Sequence, residues 1–141
     1  MSANDFIYAY QPNLTGILSV KNTDGTNDIA AGDVVTFDAA NPLSATNAFF
    51  CVKRANATSD SPSWIALDAI PKTKQGRVAI NGPIVGAVAG AAITAGTPVM
   101  PTTSGQLIAQ TAGLQQTGYC LTTAAGINDK ILVLVCAAFN H

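Results

Sequence analysis

The apolar residues of the chain fall in short blocks with the spacing of strands. Residues 131–135 form a continuous run, Ile-Leu-Val-Leu-Val, of the kind seen in a core strand that is covered on both faces. Residues 6–10 repeat with a period of two, and residues 49–52 and 64–67 are further short blocks. Blocks of this length and composition predict β-strands.

Turn-forming residues separate these blocks. Clusters rich in Asn, Asp, Gly, Ser, Thr and Pro occupy residues 22–27, 57–62 and 102–105, and Asn81-Gly82-Pro83 predicts one more turn between two strands. A short helix fits best at residues 86–92, although two glycines disfavour it there. We therefore expect an all-β fold, a compact β-sandwich or barrel (β-tulip-like) built from short strands and hairpins.

The sequence contains a weak internal repeat, which we call the echo. Ile29-Ala-Ala-Gly-Asp-Val-Val and Ile93-Thr-Ala-Gly-Thr-Pro-Val share Ile, Ala, Gly and Val at an offset of 64 residues. Further pairs extend the echo: Leu43 with Leu107, Ala45 with Ala109 and, at an offset of 69, residues 50–52 with residues 119–121. A repeated supersecondary unit explains the echo, and chance similarity in an Ala-rich chain is the alternative.

These patterns suggest a division of the chain. Residues 29–141 are expected to form a single β-rich core domain with two similar hairpin units, about residues 29–67 and 93–135. Residues 1–28 form either a first strand or an extended N-terminal arm that adds to a neighbour's sheet. We favour the arm, because alternate aromatic residues, Phe6, Tyr8 and Tyr10, suit pockets on a partner.

Charge is scarce and unevenly distributed. Charged residues make up 11% of the chain, against about 25% in ordinary soluble proteins. The formal net charge is -1, which argues against a nucleic-acid partner, because such partners need a dense basic face. Residues 78–128 contain no charge, but their most apolar part, residues 84–93, is too short to cross a bilayer. We therefore expect no membrane partner, and no secretory leader is recognisable.

The residues needed for catalysis or metal binding are not grouped in the sequence. The three cysteines, Cys51, Cys120 and Cys136, show no CxxC spacing, and the one histidine is His141. We expect three free and mostly buried thiols in a reducing cell. Most aspartates stand in turn-like contexts, where Asp is common for structural reasons. The sequence thus predicts no enzyme, no metal site and no cofactor.

Basic residues cluster in the middle of the chain, at Lys53, Arg54, Lys72, Lys74 and Arg77. Residues 72–77 read as a loop that enters a strand. This loop is either a solvated segment that keeps the protein soluble or a patch that docks on an acidic partner surface.

Two C-terminal segments carry a resemblance to a known family. Residues 93–109 contain Ala95, Gly96, Pro98 and Val99, and residues 117–135 follow with a second motif. Its matching positions are Gly118, Leu121, Ala124, Ala125, Asp129, Ile131, Val133 and Val135. Together the segments resemble the head decoration (capsid cement) proteins of tailed bacteriophages. About the last fifty residues match well, residues 29–43 match less well, and the N-terminal segment hardly matches.

The resemblance implies a structural protein of the virion. Such a protein is made in the host cytoplasm, binds the outer surface of an assembled head as a homotrimer, and stabilises contacts between major capsid proteins. Candidate contacts with the capsid or within the trimer are Phe6, Tyr8, Tyr10, Lys72, Lys74 and Arg77. The alternative is a carbohydrate-recognition module on a viral or secreted fibre, in which Trp64, Tyr8, Tyr10 and Tyr119 would stack on sugars.

Overall fold

The computed structural model describes residues 16–139, and in this range the prediction of an all-β fold is confirmed. Nine strands and one short 3₁₀ turn at Thr103–Gly105 make up the regular structure, with no α-helix in this range. The strands are β1 (Gly16–Asn22), β2 (Val34–Phe37), β3 (Cys51–Arg54), β4 (Ser63–Ala66), β5 (Gln75–Val88), β6 (Pro98–Pro101), β7 (Leu107–Ala109), β8 (Gln115–Cys120) and β9 (Lys130–Phe139).

The first five strands close into a barrel. Their hydrogen-bonded order is β1-β3-β2-β4-β5, and β5 pairs again with β1. The β1–β3 pair is parallel and the other pairs are antiparallel. The segment 16–22, which the sequence analysis placed with the N-terminal arm, is thus a barrel strand. Phe6, Tyr8, Tyr10 and His141 lie outside the described residues.

A second barrel starts from the other half of β5. From Gly82 onward β5 pairs with β9, and the order continues through β8 and β6 to β7. A parallel bridge between Ala89 and Leu107 brings β7 back beside the end of β5. One 14-residue strand therefore belongs to both barrels.

The two barrels repeat the same pairings in the same order. The Gly32 N–H donates to the Ala66 carbonyl at 2.8 Å, and the Gly96 N–H donates to the Cys120 carbonyl at 2.6 Å. These glycines, 64 residues apart, have φ of 92° and 90°. Residues 29–35 and 93–99 therefore occupy the same place in their barrels.

The other pairs of the echo are wrong. Leu107 lies in β7, whose counterpart is β3, so that Leu107 corresponds to Val52 rather than to Leu43; Ala109 likewise does not correspond to Ala45. Cys120 corresponds to Ala66, because each receives the hydrogen bond of the repeated glycine, so residues 50–52 and 119–121 are not equivalent. The reason is a difference in loop length: residues 38–50 join β2 to β3, whereas residues 102–106 join β6 to β7.

Two further local predictions are wrong, and β5 explains both. Residues 81–83 form no turn, and residues 86–88 are strand rather than helix. Gly82 and Gly86 both have φ of 97°, but flanking strands supply hydrogen-bond partners on either side of these positions. The pairing has a register shift between Gly16 and Ile17 in β1 and another between Val85 and Ala87 in β5. These shifts change the direction of β5 as it passes from one barrel to the next.

The core divides into two clusters. One fills the first barrel and consists of Val20, Ile29, Val35, Val52, Ala66, Ile70 and Val78. The other cluster contains residues of the second barrel, such as Val99, Ile131 and Val133, together with residues on the outside of the first barrel. Val34, Ile65 and Ala79 are among those outside residues, and each is 0% exposed because the second barrel covers them.

The repeated glycines provide a test of how closely the barrels pack. A Cβ on Gly32 would overlap the carbonyl oxygen of Gly86, whereas a Cβ on Gly96 would meet nothing within 4 Å. Both changes to Ala carry the cost of a positive φ, about 1–2 kcal/mol. We expect Gly32→Ala to lower the free energy of unfolding by about 2 kcal/mol more than Gly96→Ala in urea titrations. Equal losses would contradict close contact at Gly86.

Candidate interaction surface

Charge separates the two barrels. Of the 14 charged residues in the described range, 12 lie before Gly82, and only Asp129 and Lys130 follow it. Burying an unpaired ion costs several kcal/mol, so a surface with few ions is the easier one to cover with a partner. The second barrel is therefore the better candidate for close contact.

The carboxylates of the first barrel are occupied in their own turns. Asp38 accepts hydrogen bonds from the Thr23 hydroxyl at 2.6 Å, from the Asn41 amide at 2.8 Å and from the Ala40 N–H at 3.1 Å. Burial alone would raise the pKa of Asp38, but these bonds together hold it below its usual value. Asp24 caps a turn in the same way, and burial is outweighed by hydrogen bonds from Thr26, Asn27 and Arg54, which lower its pKa.

Asp33 is the carboxylate whose pKa moves in the opposite direction. Burial raises the pKa of Asp33 and outweighs the Ala30 N–H, which donates at 2.8 Å, and the charges of Arg54 and Lys130. Within residues 16–139 no three His, Cys or Asp side chains are grouped as metal ligands. These carboxylates stabilise turns.

The basic residues of the predicted contact set differ in whether their charge is already paired. Lys72 and Lys74 are exposed in the loop between β4 and β5. Arg77 binds Asp68 through two side-chain hydrogen bonds, 3.0 Å from Nε to Oδ2 and 2.9 Å from Nη2 to Oδ1. Those hydrogen bonds raise the pKa of Arg77 and lower that of Asp68. Of the predicted loop residues, the two lysines are the ones that present charge without such an ion pair.

The three cysteines are unpaired, and Cys51 and Cys120 are buried while Cys136 is exposed. Burial raises the pKa of Cys120, whose thiol donates to the Thr122 carbonyl at 2.7 Å. Burial outweighs the hydrogen bond with Thr122 and disfavours the thiolate, as is typical of a structural side chain. No helix within residues 16–139 has the length and apolar character to span a bilayer.

Trp64 packs inside an aromatic group. Its ring meets Phe50 edge-on at 5.5 Å between centroids, and Phe50 lies 5.3 Å from Phe37. Tyr119, by contrast, is 37% exposed. Of the residues proposed to stack on sugars, Trp64 is thus engaged with neighbouring rings, and Tyr8 and Tyr10 fall outside the described range.

An apolar surface runs across three strands of the second barrel. We call it the apolar face, and its residues are Val85 of β5, Leu132 and Leu134 of β9, Tyr119 of β8, and Leu121, which directly follows β8. Val85 pairs with Leu132, Tyr119 pairs with Leu134, and the Leu121 N–H donates to the Leu132 carbonyl at 2.8 Å. Val85 is 84% exposed and Leu121 43%. Sequence reasoning missed this face, because it read residues 131–135 as covered on both sides.

The first barrel supplies a comparison for this face. In the first barrel the Leu67 N–H donates to the Arg77 carbonyl. In the second barrel the Leu121 N–H donates to the Leu132 carbonyl, so Arg77 and Leu132 occupy equivalent positions. The strand partner of Arg77 is Ser19, and that of Leu132 is Val85. A polar pair in the first barrel is thus replaced by an apolar pair at the equivalent position of the second.

A groove of about 410 Å³ opens where the barrels meet. Its lining includes the Ala31-Gly32 turn, Leu67, Val85 and Lys130. One amine in an otherwise apolar lining offers no acid–base pair and no nucleophile with a base beside it. The groove extends the apolar face toward the first barrel through Val85.

Comparison with known proteins finds a likeness in fold. No protein-family model matches the chain, and no curated protein matches it in sequence. A solved structure described as head fiber gp8.5 N base in bacteriophage phi29 superposes with a TM-score of 0.61. The match covers 90% of this chain and 99% of that one at 12% identity. This chain has the fold of a phage head fibre base. At that identity the likeness concerns the fold alone.

The opposite pKa shifts of two carboxylates provide a test of their roles. Asp38, with its lowered pKa, stabilises the fold above about pH 4, and this contribution is lost as pH falls. We expect Asp38→Asn to lower the free energy of unfolding by about 1–2 kcal/mol at pH 7 and by less at pH 3.

Asp33→Asn is the matched control. Because the pKa of Asp33 is raised, the wild-type protein gains stability from protonating it as pH falls, and the variant does not. The cost of Asp33→Asn should therefore increase between pH 7 and pH 3 in the same urea titrations. A cost that changes in the same direction for both variants would contradict these assignments.

Proposed function

We propose that this chain is a structural decoration protein of a tailed-phage head. In this role it binds the outer surface of the assembled head as a trimer and stabilises contacts between major capsid proteins. The observation that carries the proposal is the fold shared with a phage head fibre base, which agrees with the resemblance of residues 93–135 to capsid cement proteins.

The distribution of charge supports this role. A cement protein forms close contacts that exclude water, and an uncharged surface of small and apolar residues can be buried at low cost. The second barrel offers such a surface, whereas most charged residues of the described range lie in the first barrel. Three modest contacts on one trimer also act together, so that release from the head is slow.

Contact with the head is assigned to the N-terminal aromatic residues and the basic loop. Phe6, Tyr8 and Tyr10 would bind apolar pockets on the capsid protein, and Lys72 and Lys74 would approach acidic groups there. Arg77 contributes less in this scheme, since Asp68 already binds its guanidinium group.

High salt tests the apolar character of attachment. We expect the protein to co-sediment with assembled empty shells of its own major capsid protein and to stay bound in about 1 M NaCl, because apolar contacts are not screened by ions. Unassembled capsid subunits are the control and should bind weakly or not at all. Release at neutral pH in high salt would contradict the proposal.

Truncation tests the N-terminal contact. Removing residues 1–11 should weaken attachment to shells at least about tenfold, because the three aromatic side chains are lost. The double change Lys72→Ala and Lys74→Ala should weaken attachment less, and only at low salt. Attachment that is unchanged after truncation would exclude a role for the segment.

A further inference from the structure

The molecule itself shows what covers an apolar row on the outside of one of its barrels. In the first barrel Val34 pairs with Ile65, and Ile65 pairs with Ala79. All three are 0% exposed, because the second barrel packs on them. In this chain a row of that kind is buried by a unit of the same architecture.

The equivalent row of the second barrel is open. Pro98 pairs with Tyr119, and Tyr119 pairs with Leu134, which repeats the register of Val34, Ile65 and Ala79. Tyr119 is 37% exposed, and Pro98 and Leu134 are half-buried. No third barrel exists in residues 16–139 to cover this row.

The sequence of β9 also fits a strand that becomes covered on both sides. Ile131, Val133 and Val135 face the core, while Leu132 and Leu134 face outward. A strand with one solvated face normally carries polar residues on that face. The equivalent of Leu132 in the first barrel, Arg77, is exposed and charged. The apolar outer residues of β9 thus differ from those of a solvated strand.

We propose that the apolar face is the contact between copies of this chain, covered by a barrel of a second copy. The inference rests on the proposed trimer and names the surface that forms it. A head-to-tail contact between second barrels forms a closed ring when three copies complete one turn. The first barrel then lies outside this contact, and its exposed Lys72 and Lys74 stay available to the head.

Val85 and Ser19 provide a matched pair of variants. They occupy equivalent, exposed strand positions in the two barrels, so that an added Asp is tolerated by the monomer fold at either site. In the full-length chain, sedimentation velocity should show a trimer for the wild type and for Ser19→Asp. Val85→Asp should weaken self-association at least about 100-fold, because the contact would then have to desolvate an added carboxylate. Circular dichroism and urea titration confirm that each variant is folded.

Each other outcome overturns the inference. A monomeric wild type, or a Val85→Asp variant that remains a trimer, would show that copies do not meet at this face. Retained trimer with lost shell binding would assign the face to the capsid protein instead. Self-association that appears only after residues 1–11 are removed would assign it to the chain's own N-terminal segment.

The outcomes that would contradict the proposed function differ from those that would contradict this inference. A trimer that depends on Val85 but does not bind shells would leave this inference standing and remove the decoration role. A monomer that binds shells would do the reverse. Co-sedimentation and sedimentation velocity on the same preparations therefore distinguish the two failures.

Discussion

The backbone hydrogen bonds of β5 determine most of this structure. The strand pairs with β1 and β4 over its first half and with β9 over its second half, so that each barrel depends on it for closure. A turn at residues 81–83 would leave the edges of both barrels unpaired, and unpaired backbone groups are costly when buried. Glycines at the register shifts let the strand change direction while its pairing continues, which places the second barrel against the outside of the first.

This shared strand explains why the two halves of the chain have different surfaces. The outer row of the first barrel is buried within the molecule, and its remaining surface carries Asp and Arg side chains that stabilise turns and one ion pair. The second barrel has the same architecture but has no neighbour at the equivalent row among residues 16–139, and its outer positions Leu132 and Leu134 are apolar. We infer that another copy binds at this open apolar row.

The sequence predicted the fold class because strand periodicity and turn residues are local signals, and the match between Ile29 and Ile93 marked equivalent turns. It failed at residues 81–83, where turn chemistry was overridden by pairing with β1 and β9. It also failed for Leu43 and Leu107, because a long loop shifts the register after β2. The apolar face was not predicted, because a run such as residues 131–135 indicates only that both faces of the strand are covered. The sequence does not distinguish cover by the same chain from cover by a partner.

The central claim is that this chain is a structural component of a phage head and that its second barrel, which has few charges, is buried in the assembly. An electron cryomicroscopy map of assembled shells saturated with the protein tests that claim most directly. The expected map shows trimers on the outer surface, with second barrels meeting at the symmetry axis and Lys72 and Lys74 of each first barrel toward the shell. Shells without added density, or trimers whose second barrels are exposed to solvent, would contradict it.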